Sequence, residues 1–416
     1  MKIVGIIAEY NPFHNGHAYQ IKQAKALSHA DYAVIVMSGN FTQRGVPALL
    51  NKFDRTTMAL KNGADFVFEL PTLWATASAE SFAAASVALL NALGCIDTIC
   101  FGCETPNLPL MSEIAQILIE EPESYAKHLS LSLKKGISFP AARANAAASY
   151  LLEQTNTIKK EDLAELFSSP NNILALEYLK AIKKQNSSIK PIPVLRQGSG
   201  YHDTGFGRQF CSASALRNHL LQQTPDKNTI SDYVLPETLE YFFAPDTHFL
   251  TEQDFSQILY YKLLSEKSVG YADYADSSTE LSNKISNALN DFTDYKNFCE
   301  RLKSKEITYT RISRLLLHIL LNLKKSDDKN GKELGYIPYL RLLGFRKEAA
   351  CLFHEIDRHT SLPILARTAK DAALLSGTAS EMFYQDVFAS DLYYGVLAQK
   401  SGIAQKNEFQ RKLITI

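Results

Sequence analysis

Residues 1–27 run MKIVGIIAEYNPFHNGHAYQIKQAKAL. The apolar run from Ile3 to Ala8 predicts a buried strand. The stretch from Ala18 to Leu27 predicts a helix, because Tyr19, Ile21, Ala24 and Leu27 are spaced to bury one face. His14-Asn15-Gly16-His17 therefore falls where a first strand hands over to a first helix. Open α/β sheets bind nucleotides at that place, outside the carboxyl ends of their strands. A helix N-terminus there offers free N–H groups and a positive dipole end to an anion. Gly16 lets a phosphate approach the backbone. Two imidazoles can hydrogen-bond phosphate oxygens and stabilise charge that develops during adenylyl transfer. The bland alternative is a pair of ordinary loop histidines.

The pattern resembles the H-x-G-H signature of the nucleotidyltransferase superfamily, which includes the class I aminoacyl-tRNA synthetases. Such a resemblance implies a second signature about one Rossmann domain later. Cys211-Ser212-Ala213-Ser214-Ala215-Leu216-Arg217 stands there, after the glycine-rich Gly198–Gly207 segment and at the start of a helical pattern. Ser212 or Ser214 can cap that helix. Arg217 lies one turn beyond Ser214, in reach of the same anion. The segment looks like the S-x-S-x-x-R element with which these enzymes hold the β- and γ-phosphates.

The rest of the first half reads as an α/β sheet. Asp31 to Ser38, Ala64 to Leu70, Ile96 to Phe101 and Ile192 to Leu195 predict strands, and Ser78 to Leu93 predicts a small-residue helix. Leu110 to Leu152 is helical in pattern, and Pro170-Asn171-Asn172 precedes a further helix from Ile173 to Lys183. Arg44, Lys52 and Arg55 crowd the carboxyl end of the second strand, suiting a phosphate or a small carboxylate, or merely a solvated surface.

Of six cysteines, Cys100 and Cys103 form a lone C-x-x-C. Without a second pair or nearby histidines it reads as two small core residues before it reads as zinc or redox chemistry. Lys and Arg total 44, as do Asp and Glu, so any nucleic-acid contact must come from a local patch. No apolar run approaches a membrane span, and the N-terminus enters a strand directly, so the reading is a cytoplasmic enzyme with no membrane partner.

The second half reads as helical, with a linker around Gln222–Thr229. From Arg301 to Lys347 twelve Lys or Arg stand against four Asp or Glu. Tyr309 and Tyr336 interleave with them, suiting phosphate contacts and base stacking. A solvated helix face is the alternative. His318, in an apolar run, reads as a core histidine.

Taken in order, GIIAEYNPFHNGH, MSGNFTQRG, FGCE, SPNNILALEYLKAI, LRQGSGYHD and SASALR resemble the bacterial tRNA(Met) cytidine acetate ligase family. Cys103 stands where that family's string leads one to expect serine, and Gln197 departs from it as well. The resemblance implies a Rossmann-like nucleotidyltransferase domain with a parallel sheet over residues 1–225. A mostly α-helical tRNA-binding domain would follow over 226–416. It implies activation of acetate by ATP as acetyl-adenylate, then acetylation of the wobble cytidine of elongator tRNA(Met). By the same resemblance the ATP site comprises Ile7-Ala8-Glu9-Tyr10-Asn11-Pro12-Phe13-His14-Asn15-Gly16-His17-Ala18-Tyr19-Gln20, Gly102, Asn171, Arg196 and Gln197. Ser212 and Ser214 join it through the second signature. His14, His17 and Arg217 are the expected catalytic groups, with Mg2+ expected on the nucleotide and no dedicated metal cluster. Arg301, Lys303, Lys305, Arg311 and Arg314 are the expected tRNA contacts, and no DNA partner is implied. Two rival readings remain: a small-molecule nucleotidyltransferase acting on a phosphorylated cofactor precursor, and an RNA-binding protein that has lost catalysis.

Overall fold

β1 (Ile3–Ala8) lies between two parallel neighbours, and its first four residues are buried, as a central strand requires. The computed structural model describes residues 1–154, 163, 166–167, 169–196 and 210–416. β2 (Tyr32–Ser38) and β3 (Phe66–Leu70) extend the sheet on one side of β1. β4 (Thr98–Cys103) and β5 (Lys190–Leu195) extend it on the other, giving the parallel order β5-β4-β1-β2-β3. The order reverses at β1/β4, so the crevice above that pair is where a nucleotide belongs.

Three aspartates staple the opposite end. Asp31, Asp65 and Asp97 each precede a strand. Their carboxylates accept N–H bonds from Lys2 (2.8 Å), Ala33 (2.7 Å) and Ile3 (2.8 Å) on the neighbouring strand. That is why β3 and β4 begin at Phe66 and Thr98, two residues later than their apolar runs suggest. Connecting helices include α1 (Asn15–Ser28), α2 (Lys52–Lys61), α3 (Ala79–Ala92, capped by Ser78) and α4 (Pro170–Lys184). The long helical pattern after residue 108 is three helices, Leu108–Glu120, Glu123–Lys134 and Phe139–Gln154, broken at Pro122 and Gly136.

The second half is mostly helical, as expected, but holds strands as well. α5 (Ala213–Leu220) ends the first half, and the second supplies α6 (Tyr309–Leu320) and α7 (Gly377–Ser401). It also supplies β6 (Leu340–Phe345), which joins the same sheet antiparallel to β3. β7 (Ile364–Leu365) and β8 (Ile414–Thr415) pair parallel with β6. A boundary at 225/226 therefore does not divide the sheet. Leu340-Arg-Leu-Leu-Gly-Phe345 is a run, apolar but for Arg341, too short for periodicity to separate strand from helix, and only tertiary pairing decides it. The expected linker is also bound in place. Asp226 caps the short helix Lys227–Ile230, and just beyond it Tyr233 and Asp232 accept bonds from Asn15 in the signature loop.

A buried charge cluster fastens the halves together. Lys52, with no exposed surface, donates to Glu69 of β3 and lies 2.8 Å from Glu408, and Arg341 of β6 reaches Glu408 at 3.2 Å. His318 is buried and bonded to the carbonyls of Ala275 and Thr76, a satisfied core histidine. Among the described residues no helix is long and apolar enough to cross a membrane. Cys100 and Cys103 are buried on β4 as free thiols, both pushed up to about 12 by burial.

Candidate active site

Beyond β1 the chain turns sharply through Tyr10, whose φ of +48° lies in the left-handed region, into α1. Side chains from distant segments hold the turn. The Arg55 guanidinium donates to the carbonyls of Glu9, Ser38, Gly39 and Leu50. Asn11 Oδ1 accepts from Leu49 N at 2.8 Å, and Glu9 Oε1 accepts from Gln43 N at 2.8 Å. Arg55 and Lys52 are both fully buried, one braced on carbonyls and the other in the charge cluster. Neither is a ligand group or a solvated charge; Arg44 alone of that trio lines the cleft. The sequence spacing misled here because α2 turns those two residues inward.

His14 caps α1. Its Nδ1 accepts from Gly16 N at 3.0 Å, while His17 Nδ1 accepts from His14 N at 3.3 Å, so two imidazoles form the reciprocal cap usually built from Ser and Glu. An Nδ1 that accepts a backbone N–H carries no proton, so this network assigns the neutral Nε2–H tautomer to each ring. The rings stack with centroids 3.8 Å apart. Burial, with Arg196 and Arg217 nearby, pushes His14 down to about 3. Burial, His14 and Arg196 hold His17 well below its ordinary value. Gly16 is required by its neighbour: a Cβ there would lie 2.8 Å from the His14 ring.

Ser212 caps α5 by accepting from Ala215 N at 3.0 Å. Ser214 Oγ accepts from Arg217 at 2.9 Å, and the other arm of that guanidinium donates to the Asn11 carbonyl. The second signature is thus hydrogen-bonded to the first. Burial and Arg44 push Arg217 down to about 10, leaving it cationic at neutral pH. On the β4/β5 side, Glu104 accepts from Asn171 Nδ2 at 2.6 Å and lies 3.9 Å from Arg196 Nε, while Asn172 Oδ1 accepts from Glu104 N at 2.9 Å.

These groups share one cleft of about 490 Å³, within the range of small-molecule sites. Ile7, Ala8, Glu9, Tyr10, Asn11, His14, His17, Gln20, Gly102, Asn171, Arg196, Ser212, Ser214 and Arg217 line it. Gly16 and Tyr19 line a smaller adjoining recess of about 50 Å³. Pro12, Phe13, Asn15 and Ala18 line neither, and Phe13 is core. Gln197 lies outside the described residues, as does the glycine-rich segment. Thr42, Gln43 and Tyr178 also line the cleft, from within the strings MSGNFTQRG and SPNNILALEYLKAI, and Tyr309 lines it where base stacking was expected; Glu252 and Thr310, which no local motif marks, were missed. Of the expected tRNA contacts, Arg301 pairs with Asp291 and Lys303 with Glu300 on the surface, and Lys305 is exposed. Arg311 is half-buried, and Arg314 is tied at 2.6 Å to Asp276.

The family described as HIGH Nucleotidyl Transferase matches residues 1–409. The tRNA(Met) cytidine acetate ligase of Thermoanaerobacter sp. (strain X514) is 38% identical over 418 residues, covering 100% of both chains. That of Acetivibrio thermocellus is 35% identical over 423 residues with the same coverage. The crystal structure of Thermotoga maritima TmcAL bound with alpha-thio ATP superposes with a TM-score of 0.90 at 29% identity, again over 100% of both chains. By sequence along its whole length and by fold, the chain belongs to the tRNA(Met) cytidine acetate ligase family.

Proposed function

We propose that this chain activates acetate with ATP and transfers the acetyl group to the wobble cytidine of elongator tRNA(Met). The observation that carries the reading is the joined pair of signatures: two imidazoles locked as Nε2–H donors, and Arg217 bonded to the same loop. Acetate is a poor acyl donor, and attack of its oxygen on the α-phosphate turns that oxygen into a good leaving group. His14 and His17 stabilise the charge growing on the α-phosphate by hydrogen bonding, with no proton transfer required. Arg217 and the N-terminus of α5 hold the outer phosphates. Gly102, Asn171 and Arg196 face the nucleoside, with Glu104 orienting the last two. Among the described residues no three of His, Cys, Asp and Glu stand together as a metal site, so magnesium fits as the nucleotide's own counter-ion, neutralising phosphate charge.

The tRNA approaches over the surface carrying Arg301, Lys303 and Lys305, because α6, which follows that stretch, opens into the cleft through Tyr309 and Thr310. Such a substrate supports a cytoplasmic enzyme. The test is incubation of bulk tRNA with enzyme, ATP and labelled acetate, followed by nucleoside mass spectrometry. Labelled N4-acetylcytidine is expected from acetate and not from labelled acetyl-CoA. Entry of label from acetyl-CoA alone would overturn the ligase reading, and acetate-independent adenylyl transfer to a small phosphorylated acceptor would favour the small-molecule rival.

A further inference from the structure

One wall of the cleft belongs to neither signature. The sheet order puts β4 and β5 on one side of β1 and the loop after β2 on the other, so Gln43 lies across β1 from Gly102 and Arg196. The second half completes this wall with Glu252 and Tyr309. The wall is rigid. Leu250 N donates to Leu49 O at 3.1 Å, and the hydroxyls of Tyr295 and Ser313 donate to Gly45 O at 3.1 and 2.9 Å. Gly45 has φ +75°, and a Cβ there would fall 2.3 Å from the backbone of Arg314, so only glycine lets the loop seat on α6.

On this wall Gln43 Nε2 is buried without a hydrogen bond. Leaving a buried donor unpaired costs about 1–3 kcal/mol, which an acceptor on a ligand would recover. Glu252, half-buried, lines the same cleft as Arg217 and Tyr309, so one space joins the phosphate end, a carboxylate and an aromatic ring. An acceptor, a donor and a ring on one wall match the edge of a cytosine: exocyclic amine, then N3 and O2 acceptors, then a π-face.

We infer that Gln43, Glu252 and Tyr309 form the subsite for the cytosine to be acetylated, with Glu252 as the base for acyl transfer. The inference rests on the ligase reading above. The unstacked cytosine enters from the single-stranded anticodon loop. Its N4 attacks the acetyl carbonyl of acetyl-adenylate, forming the C–N bond as the C–O bond to phosphate breaks. AMP departs with the electron pair, and the proton lost from N4 passes to the Glu252 carboxylate. Gln43 donates to the cytosine acceptor edge. Uracil, with a carbonyl in place of the amine, meets the carboxylate with like polarity and is refused.

The test separates the two half-reactions. Acetate-dependent exchange of labelled pyrophosphate into ATP reports adenylation without tRNA. Single-turnover transfer from preformed acetyl-adenylate to tRNA reports the second step. Glu252→Gln keeps an acceptor but cannot take a proton. Transfer should fall about 100-fold, the scale of general base catalysis, and at least 30-fold more than exchange falls, with the tRNA concentration dependence shifted less than threefold. Glu252→Ala should lower the rate and also weaken tRNA binding, and Gln43→Leu should mainly weaken binding. Transfer in Glu252→Gln within threefold of wild type, or a decline in step with exchange, would overturn the assignment. Absence of acetate-dependent exchange in the wild-type enzyme would instead overturn the ligase reading beneath it.

Discussion

Glu408→Ala should be among the most damaging substitutions in the molecule although it touches no substrate. The wild-type cluster holds two cations, Lys52 and Arg341, and two carboxylates, Glu69 and Glu408, all of them 3% exposed or less. Burial opposes charge on Glu408, yet Lys52 and Arg341 keep its carboxyl below the usual range. Removing that carboxylate leaves a buried excess positive charge and strips Lys52 of a 2.8 Å partner and Arg341 of a 3.2 Å one. Breaking a buried pair from one side costs about 3–5 kcal/mol, against a total stability of about 5–15 kcal/mol for a typical domain. Urea denaturation should show the unfolding free energy lowered by that amount, with part of the chain unfolded at 37 °C. The wild-type carboxylate's stabilisation is present above its unfolded pKa of about 4.3 and is lost as pH falls through its lower folded value, so the gap between variant and wild type should narrow only in strong acid. Replacing all four members together with Met or Leu should cost much less than Glu408→Ala alone. A single variant within 1 kcal/mol of wild type at pH 7 would refute the view that this cluster ties the second half to the sheet.

His14→Ala and His17→Ala should each slow acetate-dependent pyrophosphate exchange about 100-fold while leaving the thermal midpoint within a few degrees, the scale for one preorganised donor; an exchange rate within threefold of wild type would remove that ring from the phosphate site. In the ligand-free protein, NMR titration should find His14 taking up its proton near pH 3 and His17 well below the ordinary imidazole range, and an ordinary midpoint for either would contradict the backbone-fixed tautomers. Since both folded values lie below that of the unfolded chain, the unfolded state takes up the protons, and the two rings cost stability progressively as pH drops below about 6.5. Gln in place of Arg301, Lys303, Lys305 and Arg311 should weaken tRNA binding and reduce the log–log salt slope by roughly 0.7–0.9 for each phosphate no longer neutralised. Equal affinity at two salt concentrations would move the docking surface to the exposed Lys183, Lys184 and Lys190, Lys180 beside them being buried against Glu177.

What was legible in the sequence is what depends on local pattern. Ile3–Ala8 followed by His-x-Gly-His declares a strand, a turn and a helix N-terminus, and Ser212 to Arg217 declares a capped helix with a cation one turn on. Both lie where they were expected. The two aspartates that delay β3 and β4 look like loop residues until their carboxylates meet a neighbouring strand. Lys52 and Arg55 read as ligand-side charges because spacing gives a helix face but not what that face meets. β6 was invisible for a related reason: a six-residue run, apolar but for Arg341, becomes a strand only because β3 has an open edge 270 residues earlier, counting from Leu70 to Leu340. Glu252 carries no motif, and the string MSGNFTQRG does not say that Gln43 meets the cleft, since the wall they form is assembled by packing.

The same separation governs the order in which the protein comes into being. A ribosome adding roughly 5–20 residues per second leaves those 270 residues to take about fifteen to fifty-five seconds. Throughout that interval the outer edge of Phe66-Val67-Phe68-Glu69-Leu70 has no strand beside it. Such an apolar edge is prone to pair with another nascent chain. Glu69 is the residue that interrupts it. While the chain is unfinished its charge, not yet enclosed with Arg341 and Glu408, makes edge-to-edge association costly, as gatekeeper charges do. The carboxylate that anchors the finished core is therefore also the one polar break in the strand edge that waits longest for its neighbour.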